Sequence, residues 1–117
     1  MRFRSTLVAG HKGVTALIVP FDPRATWAVE PVALDARREG WLVAGVLDGV
    51  AFFGWIGQRW GRYFTIVDSD LRAQAGVAVG DECEVALRPT TDPRALAKAL
   101  EQAPRTTAPG RRGRKRE

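Results

Sequence analysis

Residues 41–56 read WLVAGVLDGVAFFGWI and contain the clearest structural signal in the chain. At the centre of this stretch is Asp48-Gly49. An Asp-Gly pair between two apolar runs is typical of a two-residue β-hairpin turn, because the positive φ angles of that turn match the twist of the strands. A third run, residues 63–67, follows the glycine-containing segment 57–61. The pattern therefore predicts a three-stranded antiparallel meander.

Both faces of the second strand in this meander are apolar. Strand alternation places Val50, Phe52 and Ile56 on one face. It places Phe53 and Trp55 on the other. A strand with one face in water carries polar residues there, so the second apolar face must be covered. The C-terminal helix, a partner subunit or closure of a barrel would each cover it, and the residues leave the choice open.

Three further runs bring the number of predicted strands to six. Residues 3–9 and 14–19 are separated by a short glycine-bounded loop, which predicts a second hairpin. Pro20 ends this pairing because proline has no N–H to donate. Residues 82–88 alternate between inward and outward side chains, as in a half-buried strand. The inward residues are Cys83, Val85 and Leu87, and the outward residues are Glu82, Glu84 and Arg88.

Aspartates mark the predicted helix starts. Asp22-Pro23 and Asp92-Pro93 each supply an N-cap oxygen followed by a proline whose φ suits the first helical position. Asp68 is a further N-cap, for a helix over residues 71–75 that Gly76 ends.

The last predicted helix is about ten residues long and has Leu96 and Leu100 on one face. Residues 30–40 are compatible with a loop or with another short helix. Six short strands joined by small turns predict a mainly-β fold, a small six-stranded β-barrel with two or three short helices.

The positive charge is concentrated at the C-terminal end. The chain carries 18 basic and 13 acidic residues, a net charge of +5. The basic and acidic residues of 1–103 are equal in number, so the excess positive charge lies in residues 104–117. We therefore expect one barrel domain over residues 1–103 and a disordered basic tail over residues 104–117. The basic residues of this tail are Arg105, Arg111, Arg112, Arg114, Lys115 and Arg116.

The other residue types limit where the protein is expected in the cell and which reactions or metal sites it is expected to support. A single cysteine forms no internal disulfide, and no apolar stretch approaches a signal-peptide core or a membrane span, so a cytoplasmic location is expected. His11 has no second histidine to complete a metal site. Cys83 lies between glutamates, and Ser69 lacks a nucleophile-elbow frame. Asp68 and Asp70 serve a helix start. We therefore expect no catalytic, cofactor-binding or metal-binding residues, and no enzyme.

Two sets of residues have binding character. Arg59 and Arg62 stand among aromatic residues, the combination used for phosphate contact and base stacking, although the neighbouring glycines also serve a tight turn. Together with the tail they form the predicted nucleic-acid contact, Arg59, Arg62, Arg111, Arg112, Arg114, Lys115 and Arg116. The predicted protein interface, which a homodimer would also use, is Trp41, Phe53, Trp55 and Trp60.

The order and spacing of several motifs resemble domain-of-unknown-function family 1905. These motifs are Val19-Pro20-Phe21-Asp22, the hairpin of residues 45–52, Leu71-Arg72, Gly76-Val77 and Gly80-Asp81. The resemblance implies a double-split β-barrel related to the AbrB-like regulators, which are dimers that bind DNA, and it implies no established activity. The bacteriocin-protection-type region that follows the domain in many members is not expected here.

The functional prediction is therefore a non-enzymatic barrel that acts as a binding or interaction module, with a homodimer as one partner. The first alternative is a weak nucleic-acid-binding accessory protein that uses the basic tail. The second is an enzyme with a small-molecule pocket that the sequence does not reveal.

Overall fold

Six antiparallel strands close into a barrel in the computed structural model, which describes residues 1–10 and 13–102. The strands are β1 (Arg2–Ala9), β2 (Thr15–Val19), β4 (Glu39–Leu47), β5 (Val50–Arg59), β6 (Arg62–Ile66) and β7 (Glu82–Pro89), with a two-residue β3 (Val32–Ala33) beside β4. Their order is β4-β5-β6-β2-β1-β7, and β7 pairs again with β4. The predicted mainly-β six-stranded barrel is confirmed.

The two predicted hairpins form the framework of the barrel. Leu47 pairs with Val50 across the Asp48-Gly49 turn, and β1 pairs with β2 as expected. Closure brings β7 against β4, where Gly45 pairs with Leu87. A Cβ at Gly45 would lie 2.7 Å from side-chain atoms of both Leu87 and Phe52, so only glycine allows this close approach.

The interior of the barrel is packed with apolar side chains. The predicted inward residues of β7 are buried and the outward ones are exposed, which confirms its register. The core cluster consists of Leu7, Leu17, Val19, Trp41, Val43, Leu47, Ile56, Val67, Leu71, Cys83, Val85 and Leu87.

Within the described residues, three helices begin at the predicted aspartates: α1 (Pro23–Trp27), α2 (Ser69–Ala75) and α3 (Pro93–Gln102). The Asp68 carboxylate accepts from the Leu71 N–H at 2.9 Å, and Gly76 ends α2 with a φ of 69°. Asp68 also accepts from Lys98 at 3.2 Å and from Gln102 at 3.1 Å. The cap of α2 is thereby joined to α3.

The second apolar face of the meander is covered by α3. Trp55 is 3% exposed and shares a second cluster with Leu34 and Ala99. Half-buried side chains pack around this cluster, namely Leu42, Phe64 and Ile66. Of the three covers that the sequence left open, the C-terminal helix is the one found over Trp55.

The buried face of α3 is formed by alanines and not by its leucines. Ala95 and Ala99 are fully buried, whereas Leu96 and Leu100 are 36% and 47% exposed. The bulky Trp55 ring already fills the space above the sheet, so the helix approaches through its alanines. The face that carries Leu96 and Leu100 is therefore not the one that packs on the sheet.

Residues 30–40 contain a short strand and a turn. β3 pairs with the first residues of β4, and Asp35 accepts from the backbone N–H groups of Arg37 and Arg38, each at 2.8 Å. Among the described residues, no helix is long and apolar enough to span a membrane. The predicted tail, residues 104–117, and its boundary with the barrel domain lie outside the described residues.

Candidate functional site

The tip of the β5–β6 hairpin brings together three of the predicted contact residues. Arg59 and Arg62 are directly opposite each other in the strand register. The two residues between them, Trp60 and Gly61, have φ angles of 53° and 76°. This is the left-handed backbone of a tight hairpin turn, in which Asn, Asp or Gly is the usual first residue. The chain has tryptophan there.

Trp60 projects from this turn into solvent. It is 88% exposed, far more than any other large apolar side chain among the described residues. Its one aromatic or cationic neighbour within those residues is Arg59, whose guanidinium carbon lies 4.6 Å from the ring centroid. The outer face of the indole is therefore open to a planar ligand.

The charge of the tip is positive and uncompensated. Among residues 1–10 and 13–102, neither Arg59 nor Arg62 pairs with a carboxylate. Like charges directly opposite on two strands repel one another. The left-handed backbone of Trp60 and the like-charged arginine pair each lower the stability of the folded chain, and the exposed Trp60 ring adds no buried surface in return.

A groove of about 300 Å³ lies beside the tip. Pro20 and Phe21 form one side, and Arg62 and Tyr63 form the other. Burial raises the pKa of the Tyr63 hydroxyl above its ordinary value, and the nearby Asp22 carboxylate adds to the shift. The hydroxyl therefore stays protonated at neutral pH and is able to donate a hydrogen bond. The groove extends the exposed indole into a surface with apolar, aromatic and cationic parts.

Two residues of the predicted protein interface lie in the core. Trp41 is 3% exposed in the barrel interior, where its indole N–H donates to the Val29 carbonyl at 2.8 Å. Trp55 is equally buried beneath α3, and its indole N–H donates to the Gln102 side chain at 3.3 Å. Neither ring is accessible to a second molecule. Phe53 is half-buried on the outer face, and Trp60 is the exposed member of the set.

The residues considered as catalytic candidates lie in surroundings that do not activate them. Cys83 is buried, and burial raises the pKa of its thiol, with Asp48, Asp81 and Glu82 adding to the shift. A thiol of this kind is a poor nucleophile at neutral pH. Within the described part of the chain, no three His, Cys, Asp or Glu residues are grouped as metal ligands would be.

The remaining predicted contact residues lie in the part of the chain that the structure does not describe. These are Arg111, Arg112, Arg114, Lys115 and Arg116. Their roles stay predictions from sequence. His11, for which the sequence predicted no metal site, also lies outside the described residues.

The model of the family described as Domain of unknown function (DUF1905) matches residues 3–87. This span includes most of β1, all of β2 to β6, most of β7 and both hairpin turns of the meander, whereas α3 and the basic C-terminal residues lie beyond it. No curated protein matches the chain.

Proposed function

The chain belongs to the DUF1905 family, whose description assigns no activity. From the chain's own geometry, we propose that the barrel is a non-enzymatic module that binds single-stranded nucleic acid at the tip of the β5–β6 hairpin. The single observation that carries the proposal is the exposed Trp60 ring beside two unpaired arginines.

Stacking is the first part of the recognition. An unpaired base presents a flat π-face, and stacking on an aromatic side chain contributes roughly 1–3 kcal/mol per base. The indole of Trp60 already has the Arg59 guanidinium near one face, which leaves the other face for a base. A duplex keeps its bases stacked internally, so the tip favours a single strand or an unpaired end.

Phosphate contact is the second part. A base on Trp60 places its backbone next to the tip, where Arg59 and Arg62 flank the ring on both strands. Arginine binds phosphate oxygens in a bidentate manner. The adjoining groove, with Phe21 and Tyr63, offers a second aromatic surface for the following nucleotide.

Residues 104–117 supply the third part as non-specific attraction. They carry six basic residues and one acidic residue, whereas residues 1–103 are neutral overall. A basic segment of this kind attracts any phosphate polymer and makes the affinity strongly dependent on salt. The tip confers the preference for unpaired bases, and the basic segment raises the overall affinity.

The test compares binding of a labelled 12-nucleotide single strand and a matched duplex at two salt concentrations. Trp60→Ala removes the stacking surface, and we expect the single strand to bind roughly tenfold more weakly while duplex binding is almost unchanged. Arg59→Gln with Arg62→Gln removes two phosphate contacts, and the slope of log K against log salt is expected to fall by about 1.4.

Arg37→Gln is the control for loss of charge, because Arg37 is exposed between β3 and β4 and the substitution removes one positive charge outside the tip; its effect is compared with that of each single arginine substitution at the tip. Neutralising the five basic residues at 111–116 should weaken single strand and duplex alike. Equal single-strand affinity of Trp60→Ala and the unchanged chain would contradict the proposal.

A further inference from the structure

A second surface lies on the outer face of the barrel, where α3 stops covering the sheet. α3 lies over the strand row that joins Leu42 to Trp55. Arg94, at the start of α3, still reaches Phe53 in the next row, where Ala44 is buried. The row after it, at Val46, is exposed and lies in an open groove of about 380 Å³. We name this surface the β4–β7 groove, and its outward-facing residues are Ala44, Val46, Ala51, Phe53, Ala86, Arg2 and Arg88.

The floor of the β4–β7 groove consists of small side chains. Val46 is paired with Ala51 on one side and with Ala86 on the other, so three short side chains stand in one row. Val46 is 41% exposed, although it continues the apolar face that α3 covers. A floor of alanine and valine lets a helix approach the sheet closely, and α3 packs on the neighbouring rows through Ala95 and Ala99.

The rim of the β4–β7 groove is cationic. Arg88 is paired with Ala44 and Arg2 with Ala86, so the two guanidinium groups flank the β7 side. None of the residues that line the groove is acidic. One step further along β1 the pattern changes, because Arg4 is neutralised by Glu82 at 3.3 Å and Glu84 at 3.0 Å.

On the β5 side, the guanidinium of Arg94 lies over the Phe53 ring, with its carbon 4.4 Å from the ring centroid. Arg94 also donates to Asp92 at 2.8 Å, so its charge is shared. Apolar side chains in the middle and arginines on two sides are complementary to an amphipathic segment that carries carboxylates along its edges.

The charges distinguish between the occupants. A second copy docked about a two-fold axis would place two cationic rims in one interface, and the described lining residues supply no carboxylate to balance them. Residues 104–117 of the chain carry a net charge of +5 and would be repelled by this rim. We propose that the β4–β7 groove docks an amphipathic helix of a partner protein, parallel to α3 on the same sheet face and flanked by glutamate or aspartate residues.

The test uses a synthetic 16-residue amphipathic helix with leucine and alanine on one face and glutamate on the other, and the same peptide with lysine in place of glutamate. Each is titrated into the full ¹⁵N-labelled chain. We expect the acidic peptide to shift the backbone amide signals of Ala44, Val46 and Ala86, and the basic peptide to leave them unchanged.

Variants separate the groove from general attraction. Val46→Glu puts a carboxylate into the floor of the groove and should weaken binding of the acidic peptide at least about tenfold. Arg88→Glu should weaken binding by about fivefold and remove its dependence on salt. Val8→Glu is the matched control, because Val8 is a similarly exposed strand residue, at 36%, and lines neither groove. It should bind the peptide as the unchanged chain does.

Three results would overturn this inference. The first is a set of shifts confined to residues 104–117, which would indicate attraction to the basic segment alone. The second is equal affinity of Val46→Glu and Val8→Glu. The third is a dimer in sedimentation that Val46→Glu dissociates, which would make a second copy the occupant.

Discussion

The meander contains two tight turns with nearly the same backbone and opposite side-chain surroundings. Asp48-Gly49 has φ angles of 44° and 87°, and Trp60-Gly61 has 53° and 76°. The turns lie at the two ends of β5, a ten-residue strand, and are therefore about 30 Å apart.

The Asp48 turn is attached to the rest of the barrel. The Asp48 N–H donates to the Glu84 carbonyl at 2.9 Å, and the Asp48 carboxylate accepts from the Glu84 N–H at 2.8 Å. These two hydrogen bonds join the β4–β5 hairpin to β7, the strand that closes the barrel. The aspartate also tolerates the left-handed backbone, so both its backbone and its side chain stabilise the fold.

Trp60 has no comparable structural role. Its ring is 88% exposed, and a large side chain in the left-handed region lowers stability by roughly 1 kcal/mol relative to residues that adopt it readily. Identical turn geometry thus has a structural residue at one end of β5 and a destabilising one at the other. A side chain that lowers the stability of the fold and is accessible to other molecules indicates a binding role.

The largest expected effect contrasts two tryptophans. Trp55→Ala removes a ring that is 3% exposed beneath α3 and should lower the free energy of unfolding by about 3–5 kcal/mol. Trp60→Ala should change it by less than about 0.5 kcal/mol, because the ring buries little surface. Urea denaturation of both variants measures the difference, and a large loss for Trp60→Ala would mean that its ring supports the fold.

The second effect tests the attached turn. Asp48→Ala loses the acceptor for the Glu84 N–H and places alanine in the left-handed region, so we expect a loss of about 2 kcal/mol of stability. Asp48→Asn keeps the acceptor and tolerates the backbone, and it should stay within about 0.5 kcal/mol of the unchanged chain. Nucleic-acid binding should be the same in both variants. Equal stability of the two would indicate that the hydrogen bond to Glu84 contributes little.

The third effect is pH-dependent and separates structural carboxylates from the tip. Burial alone would raise the pKa of Asp68. The hydrogen bonds from the Leu71 N–H, Lys98 and Gln102 together lower this pKa by more than burial raises it, so the folded pKa lies below the ordinary value of 3.8. The stabilisation is therefore fully present above the ordinary pKa and is lost as pH falls through the folded one. Asp68→Asn should measurably reduce the stability difference between pH 7 and pH 3, by about 0.5–1 kcal/mol, as thermal unfolding at both pH values would measure. An unchanged pH dependence would contradict this role for Asp68.

Much of the barrel could be predicted from local sequence. Asp48-Gly49 marked one hairpin, the alternation of Cys83 and Val85 with glutamates gave the register of the last strand, and Asp68 marked a helix start. These signals work because turn chemistry, strand alternation and helix capping depend on residues close together in the chain.

The surfaces could be predicted only in part, because they depend on distant pairings. Arg59, Trp60 and Arg62 are neighbours in sequence and were recognised together, whereas Arg2 and Arg88 meet only when β7 pairs with both β1 and β4. The packing face of α3 was missed for the same reason, since the size of Trp55 decides that alanine and not leucine faces the sheet. Tryptophan in the place of the usual Asn or Asp before Gly61 was the one local signal for an unusual turn.

The most direct test of the comparison is Trp60→Asn, measured for stability and for binding in the same preparation. Asparagine adopts the left-handed backbone readily, so we expect the free energy of unfolding to rise by about 0.5 kcal/mol after allowance for the lost contact with Arg59. The affinity for the 12-nucleotide single strand should fall roughly tenfold at the same time. A less stable chain that binds the single strand as tightly as before would contradict the account, because Trp60 would then serve the fold and not the ligand.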